Sequence, residues 1–185
     1  MDESRESVLE RFWKLPYARH SFEHAKIICE HVMAGSITST DKAYYSLVLA
    51  IHVAYARPFK RSSGGIKKLE ENIVPERFKP LHEQMILVRD QVLAHTDPSG
   101  SYYRGLPANH VRVKVEIGGS VNLIVQDIKP RVAFIPQIRE LCDSLIVQMT
   151  KDVEGIGKLQ EFIDMIPPIA GEYMVDLKGH RFVAV

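Results

Sequence analysis

Leu81-His-Glu-Gln-Met-Ile-Leu-Val-Arg89-Asp90-Gln-Val-Leu-Ala-His95-Thr-Asp97 is the stretch on which the reading of the chain turns. Leu81, Met85, Val88 and Val92 recur at steps of four, three and four, the period that lays apolar side chains along one side of a helix. Pro98 and Gly100 follow at once and stop the helix. An arginine, a carboxylate and a histidine therefore fall in its last turns, where a packed helix meets solvent.

Outward from this segment the same period repeats. Ser4 or Ser7 is placed to cap a short opening helix through Phe12 and Trp13, which Pro16 ends. A second helix runs from about Tyr17 to Met33, with Phe22, Ala25, Cys29 and Val32 on its apolar side, and Ala34-Gly35-Ser36 closes it. Ser39 or Thr40 caps a third, from about Asp41 to Ala56, apolar over much of its circumference and so suited to the middle of a bundle. A short helical piece is expected over Ile66 to Asn72. Phe134-Ile-Pro136 opens a long helix reaching about Val153, and Leu159 to Ile166 forms one more before Pro167-Pro168.

Two segments break the helical pattern. Val111, Val113, Val115 and Ile117 alternate with Arg112, Lys114 and Glu116, Gly118-Gly119 turns the chain, and Val121 to Val125 returns it. This predicts an inserted β-hairpin over 111–125. The tail, 171–185, is expected to be extended, with a weak hairpin about Lys178-Gly179. With no repeat or long linker, the whole chain, 1–185, reads as a single, mainly α domain: an up-and-down bundle of four to five helices carrying a hairpin.

Composition narrows the function classes. The 185 residues are 45% hydrophobic, enough for a sizeable core without staples. Lys and Arg number 24 against 23 for Asp and Glu, so any nucleic-acid contact must come from a local patch. Cys29 and Cys142 lie in apolar helical patterns and form neither a disulfide framework nor a metal-spaced pair; they read as buried thiols in a reducing compartment. An acidic, polar N-terminus and the absence of any run of spanning length point to a soluble, cytoplasmic protein with no membrane partner.

Three constellations bear on chemistry. Arg57, Lys60 and Arg61 stand beside Ser62-Ser63-Gly64-Gly65, where guanidinium forks and backbone N–H groups suit phosphate oxygens; the alternative is a solvated basic loop. His20, His24 and His31 are spaced along one helix face. A His pair at i, i+4 can bind a transition metal, with His52 or His82 as a further ligand from a neighbouring helix, although no carboxylate stands on that face at ligand spacing. Third, an arginine followed five or six positions later by a histidine occurs as Arg19/His24, Arg77/His82, Arg89/His95 and Arg104/His110. Pro80 separates the second pair and Pro107 the fourth, and the first lies apart around its helix. Arg89/His95 alone sits on a strongly periodic helix, with a carboxylate beside the arginine and a stop after the histidine.

Val88-Arg89-Asp90-Gln-Val-Leu-Ala-His95-Thr-Asp97 resembles the signature of the HEPN superfamily, an arginine, a polar residue, a few more residues, then histidine. Ala54-Tyr-Ala-Arg57-Pro58-Phe59 before a Ser/Gly loop is similar to the abortive-infection type of that superfamily. The resemblance covers roughly Tyr44 to Asp97. It implies an all-α bundle, usually a homodimer, and in many members a metal-independent endoribonuclease of toxin–antitoxin or phage-defence systems, needing no cofactor. Other members keep the fold as a scaffold that binds a nucleotide, RNA or protein. Position by position, it implies that Arg89, Asp90 and His95 are catalytic; Arg57 and Arg61 would bind RNA phosphate. The sequence departs from the family in having five residues between Arg89 and His95 where four is commonest, and Asp90 where Asn or His is frequent.

The chemistry agrees with those residue types. Metal-free RNA cleavage needs a base near neutral pH, which imidazole supplies, and fixed positive charge on the phosphate. On an ideal helix, six positions rotate by about 600°, roughly 240° net, with a rise of about 9 Å. Arg89 and His95 therefore share a phosphate only if the helix bends or ends, or if two copies supply them across a symmetric interface.

Overall fold

A computed structural model describes residues 3–35, 37–38, 40–60, 68–90, 112–119, 121–124, 134–179 and 181–185. These form a mainly α-helical bundle with two small antiparallel hairpins. Helix α1 (Glu3–Met33) is a single rod of 31 residues. The sequence led us to expect two helices divided at Pro16; the structure corrects this, with Pro16 lying inside α1. An interior proline costs about 3 kcal/mol, and the apolar surface on both sides of it outweighs that: Leu9, Ala18, Phe22, Ala25 and Cys29 are all fully buried.

The main partner of α1 is α4 (Ile135–Ile156), whose inner side is Ile135, Ile138, Leu141, Cys142, Leu145 and Met149. Two ion pairs across this contact fix its direction. Lys26 reaches Asp143 at 2.6 Å and Glu30 reaches Arg139 at 3.2 Å; as α1 advances, the partner on α4 recedes, so the helices are antiparallel. Both cysteines lie free and buried.

Helix α2 (Lys42–Ala56) packs on α1 through Tyr44, Val48, Ile51 and Tyr55. Its cap is Asp41 rather than Thr40: the carboxylate accepts the Ala43 N–H at 2.8 Å, whereas Thr38 and Thr40 bond to each other. A carboxylate satisfies both the free N–H groups and the positive end of the helix, which a hydroxyl does only in part. Ser39 lies outside the described residues.

After α2, a 3-10 turn (Arg57–Phe59) drives Pro58 and Phe59 back into the core. The expected helical piece over Ile66 to Asn72 lies partly outside the described residues. What is described are 3-10 turns at Glu71–Ile73 and Glu76–Phe78, leading into α3 (Lys79–Val88). Pro80 sits in the first turn of α3, where a missing N–H costs nothing, so it opens the helix instead of separating Arg77 from it. Val92 and the rest of the expected helix beyond Asp90 lie outside the described residues.

Strands β1 (Arg112–Val115) and β2 (Val121–Ile124) pair as expected, turning through Gly118 and Gly119 at φ of 100° and 85°. The last expected helix shrinks to α5 (Gln160–Ile163), which buries Phe162. The tail is a hairpin of β3 (Tyr173–Asp176) and β4 (Arg181–Ala184). Asp176 accepts the N–H groups of Lys178 and Gly179, and Phe182 joins Phe12 and Phe162 in an aromatic cluster with centroids 4.5–6.4 Å apart. This cluster fastens the tail to α1 and α5. Among the described residues no helix is long and apolar enough to cross a membrane.

Candidate functional site

The end of α3 meets the turn after α2. Helix α3 keeps α geometry to Val88, and Arg89 and Asp90 continue it in the wider π form. The Arg89 N–H is shared between the carbonyls of Ile86 and Met85. Across from them, the 3-10 turn ends at Lys60, whose N–H bonds the Arg57 carbonyl at 3.3 Å, and the returning chain is pinned where the Leu69 N–H reaches the Pro58 carbonyl at 2.8 Å. Lys60 therefore stands one turn beyond Arg57.

Asp90 joins the two elements. Its Oδ1 accepts from Arg89 Nη1 at 2.9 Å and its Oδ2 from Lys60 Nζ. All three side chains are half-buried. Burial pushes the Asp90 carboxyl up, but the bonds from Lys60 and Arg89 outweigh it and hold the group below its ordinary value. A bare carboxylate here would repel a phosphate; in this arrangement its charge is spent on two cations. Arg57 is exposed and makes no ion pair among the described residues. Arg61 and His95 lie outside the described residues.

Against Phe59, the residue before Lys60, lies a buried polar pair that local sequence patterns did not pick out. Tyr55 is fully buried and its hydroxyl is 2.7 Å from Nδ1 of His82. The other ring nitrogen, Nε2, has no hydrogen-bond partner among the described residues, and the nearest carboxylate is Glu71 at 4.0 Å. With that carboxylate on its side, Nε2 holds the proton and Nδ1 accepts from Tyr55. His82 packs edge-on against Phe59 at 4.6 Å between centroids. Burial lowers its pKa, offset in part by Glu71 and Glu83 and reinforced by Lys60 and Lys68. Burial likewise pushes the Tyr55 hydroxyl up. The pair thus props the turn that carries Lys60.

The histidine face of α1 is different in kind. His20 and His24 lie side by side at 4.1 Å, exposed along with His31. Contrary to the expectation from spacing, a carboxylate does share this face, with Glu23 Oε2 3.8 Å from His20 Nδ1. His52 and His82 are not further ligands: both are buried, His52 donating to the Val48 carbonyl at 2.8 Å and His82 bonded to Tyr55. No three His, Cys, Asp or Glu side chains converge to hold a metal ion among the described residues. Arg19 pairs with Glu23, and Arg77 pairs with Glu140 at 2.9 Å while lying over the Phe78 ring.

Lys60 is the residue of this site that the sequence under-reported. It was visible as one of three cations in the loop, but nothing in the spacing said that it faces Asp90. Comparison with protein-family models, with curated proteins and with solved structures finds no match to this chain.

Proposed function

We propose that the chain is a HEPN-type, metal-independent endoribonuclease that works as a homodimer in a toxin–antitoxin or phage-defence setting, with an antitoxin as its protein partner. The observation that carries this reading is the bridge from Asp90 to both Arg89 and Lys60. It sets two cations side by side at the end of α3 and neutralises the acidic position that would otherwise oppose a phosphate. Asp90 and His95 are five residues apart, so a fully extended chain could separate their Cα atoms by no more than about 18 Å.

In the proposed reaction His95 takes the proton of an RNA 2′-hydroxyl, and that oxygen attacks the adjacent phosphorus. Arg89, with Lys60 and Arg57, stabilises the charge that builds on the phosphoryl oxygens. The bond to the 5′-oxygen breaks, that oxygen takes up a proton from water while His95 returns its own to solvent, and the products are a 2′,3′-cyclic phosphate and a 5′-hydroxyl. The site lies at the dimer interface, His95 of one copy serving the phosphate held by Arg89 of the other.

A non-catalytic scaffold is the second reading, favoured by the fact that Arg89 and Lys60 are already satisfied through Asp90. Incubating bulk RNA with the protein in excess chelator separates the two. Cleavage to cyclic-phosphate ends that His95→Ala abolishes supports the nuclease. RNA retained without product supports the scaffold, and cleavage that persists undiminished in His95→Ala removes His95 from the mechanism.

A further inference from the structure

We infer that Asp90 is a built-in stand-in for phosphate: it occupies the gap between Lys60 and Arg89, and a phosphodiester of a single-stranded nucleic acid displaces it. This rests on the reading of the cluster as the phosphate end of the site. Each carboxylate oxygen takes a cation from a different element, Lys60 from the turn after α2 and Arg89 from the end of α3. Two non-bridging phosphate oxygens would make the same pair of contacts.

Among the described residues, only these two cations hold the Asp90 side chain. Asp90 stands two residues after Val88, the last α-helical residue of α3. Its side chain is 37% exposed, which leaves it a path into water when it lets go. Half-exposed ion pairs of this kind are worth at most about 1 kcal/mol, weak enough for a competing anion to open. The cluster holds two cations against one carboxylate, and Arg57 is exposed one turn before Lys60 in the chain. A single small anion benefits little by entering, whereas a chain of phosphates meets several cations at once. The carboxylate therefore acts as a filter, closing the site to isolated anions and yielding to a strand.

Binding of a single-stranded oligodeoxynucleotide, which has no 2′-hydroxyl and is not cleaved, tests this by fluorescence anisotropy across a salt series. Asp90→Asn should bind about two- to fivefold tighter than the natural protein, the factor that corresponds to releasing a pair worth up to about 1 kcal/mol. The log–log salt slope should steepen, by about 0.7 for each further phosphate that the protein neutralises. Lys60→Gln added to Asp90→Asn should reverse the tighter binding. A carbon-13 NMR titration of the natural protein guards against a misfolded variant: the Asp90 carboxyl should move back up to the ordinary carboxylate range when the oligonucleotide is bound. Unchanged or weaker binding by a folded Asp90→Asn protein, or an Asp90 titration indifferent to the oligonucleotide, overturns the inference. These readouts do not involve cleavage, so a protein that never cuts RNA can still pass them, and an active nuclease can fail them.

Discussion

Replacing His82 by Phe keeps the ring against Phe59 and removes the acceptor of the Tyr55 hydroxyl, which is fully buried and out of reach of solvent. Leaving a buried donor unpaired costs about 1–3 kcal/mol, a fall in melting temperature of about 2–4 °C per kcal/mol for a chain of this size. Tyr55→Phe orphans Nδ1 of His82 and costs a similar amount. The double variant replaces both partners with apolar rings and should be nearly as stable as the natural protein, apart from a small overpacking cost. Urea unfolding of the four proteins measures the coupling directly. A pH series adds a second signature. Burial lowers the pKa of His82, and that of His52, below the ordinary 6.5, so the unfolded chain binds protons first. Stability is therefore full above about pH 6.5 and falls as pH drops through it towards the depressed folded values, by up to about 1.4 kcal/mol per pH unit for each histidine. His82→Phe should roughly halve that slope. Additive single-variant costs, or an acid slope untouched by His82→Phe, would refute the buried pair.

Pro16→Ala should restore the N–H that α1 lacks at its middle and raise unfolding stability by about 1–2 kcal/mol, after allowing for the greater freedom of the unfolded chain; a fall in the denaturation midpoint would mean that the proline ring is needed where it packs. Burial pushes the Cys29 thiol up to about 12 and raises Cys142 well above its ordinary value. Neither should react with iodoacetamide at about pH 8 until denaturant is added, and prompt modification of the folded protein by mass spectrometry would contradict their burial.

The long helices were legible because each needs an apolar stripe at a fixed period, and α2 and α4 begin and end within a few residues of where caps and prolines put them. Pro16 misled because a local rule about backbone N–H groups was set against an interface running the length of α4, and the interface won. His82 was read as a candidate metal ligand and as the companion of Arg77, and its true partner was missed for the opposite reason. Its partner Tyr55 is distant in sequence and on another helix, so no periodic pattern links them, and Pro80 looked like a break when it is the first turn. At the candidate site Arg89, Asp90 and a basic loop could be read from the residues alone. Their pairing could not, since only the backbone geometry at Phe59 and Leu69 decides that Lys60 turns towards Asp90.

Mixing two inactive variants tests the proposed site, shared by two copies and cleaving RNA without metal. Arg89→Ala and His95→Ala should each fail to cut RNA in chelator. Mixed in equal amounts and allowed to exchange subunits, about half of the dimers are mixed and each holds one intact pair, so about one quarter of the natural activity should return. A mixture that stays silent while the natural protein cuts, or a single variant that cuts at the natural rate, would contradict the account.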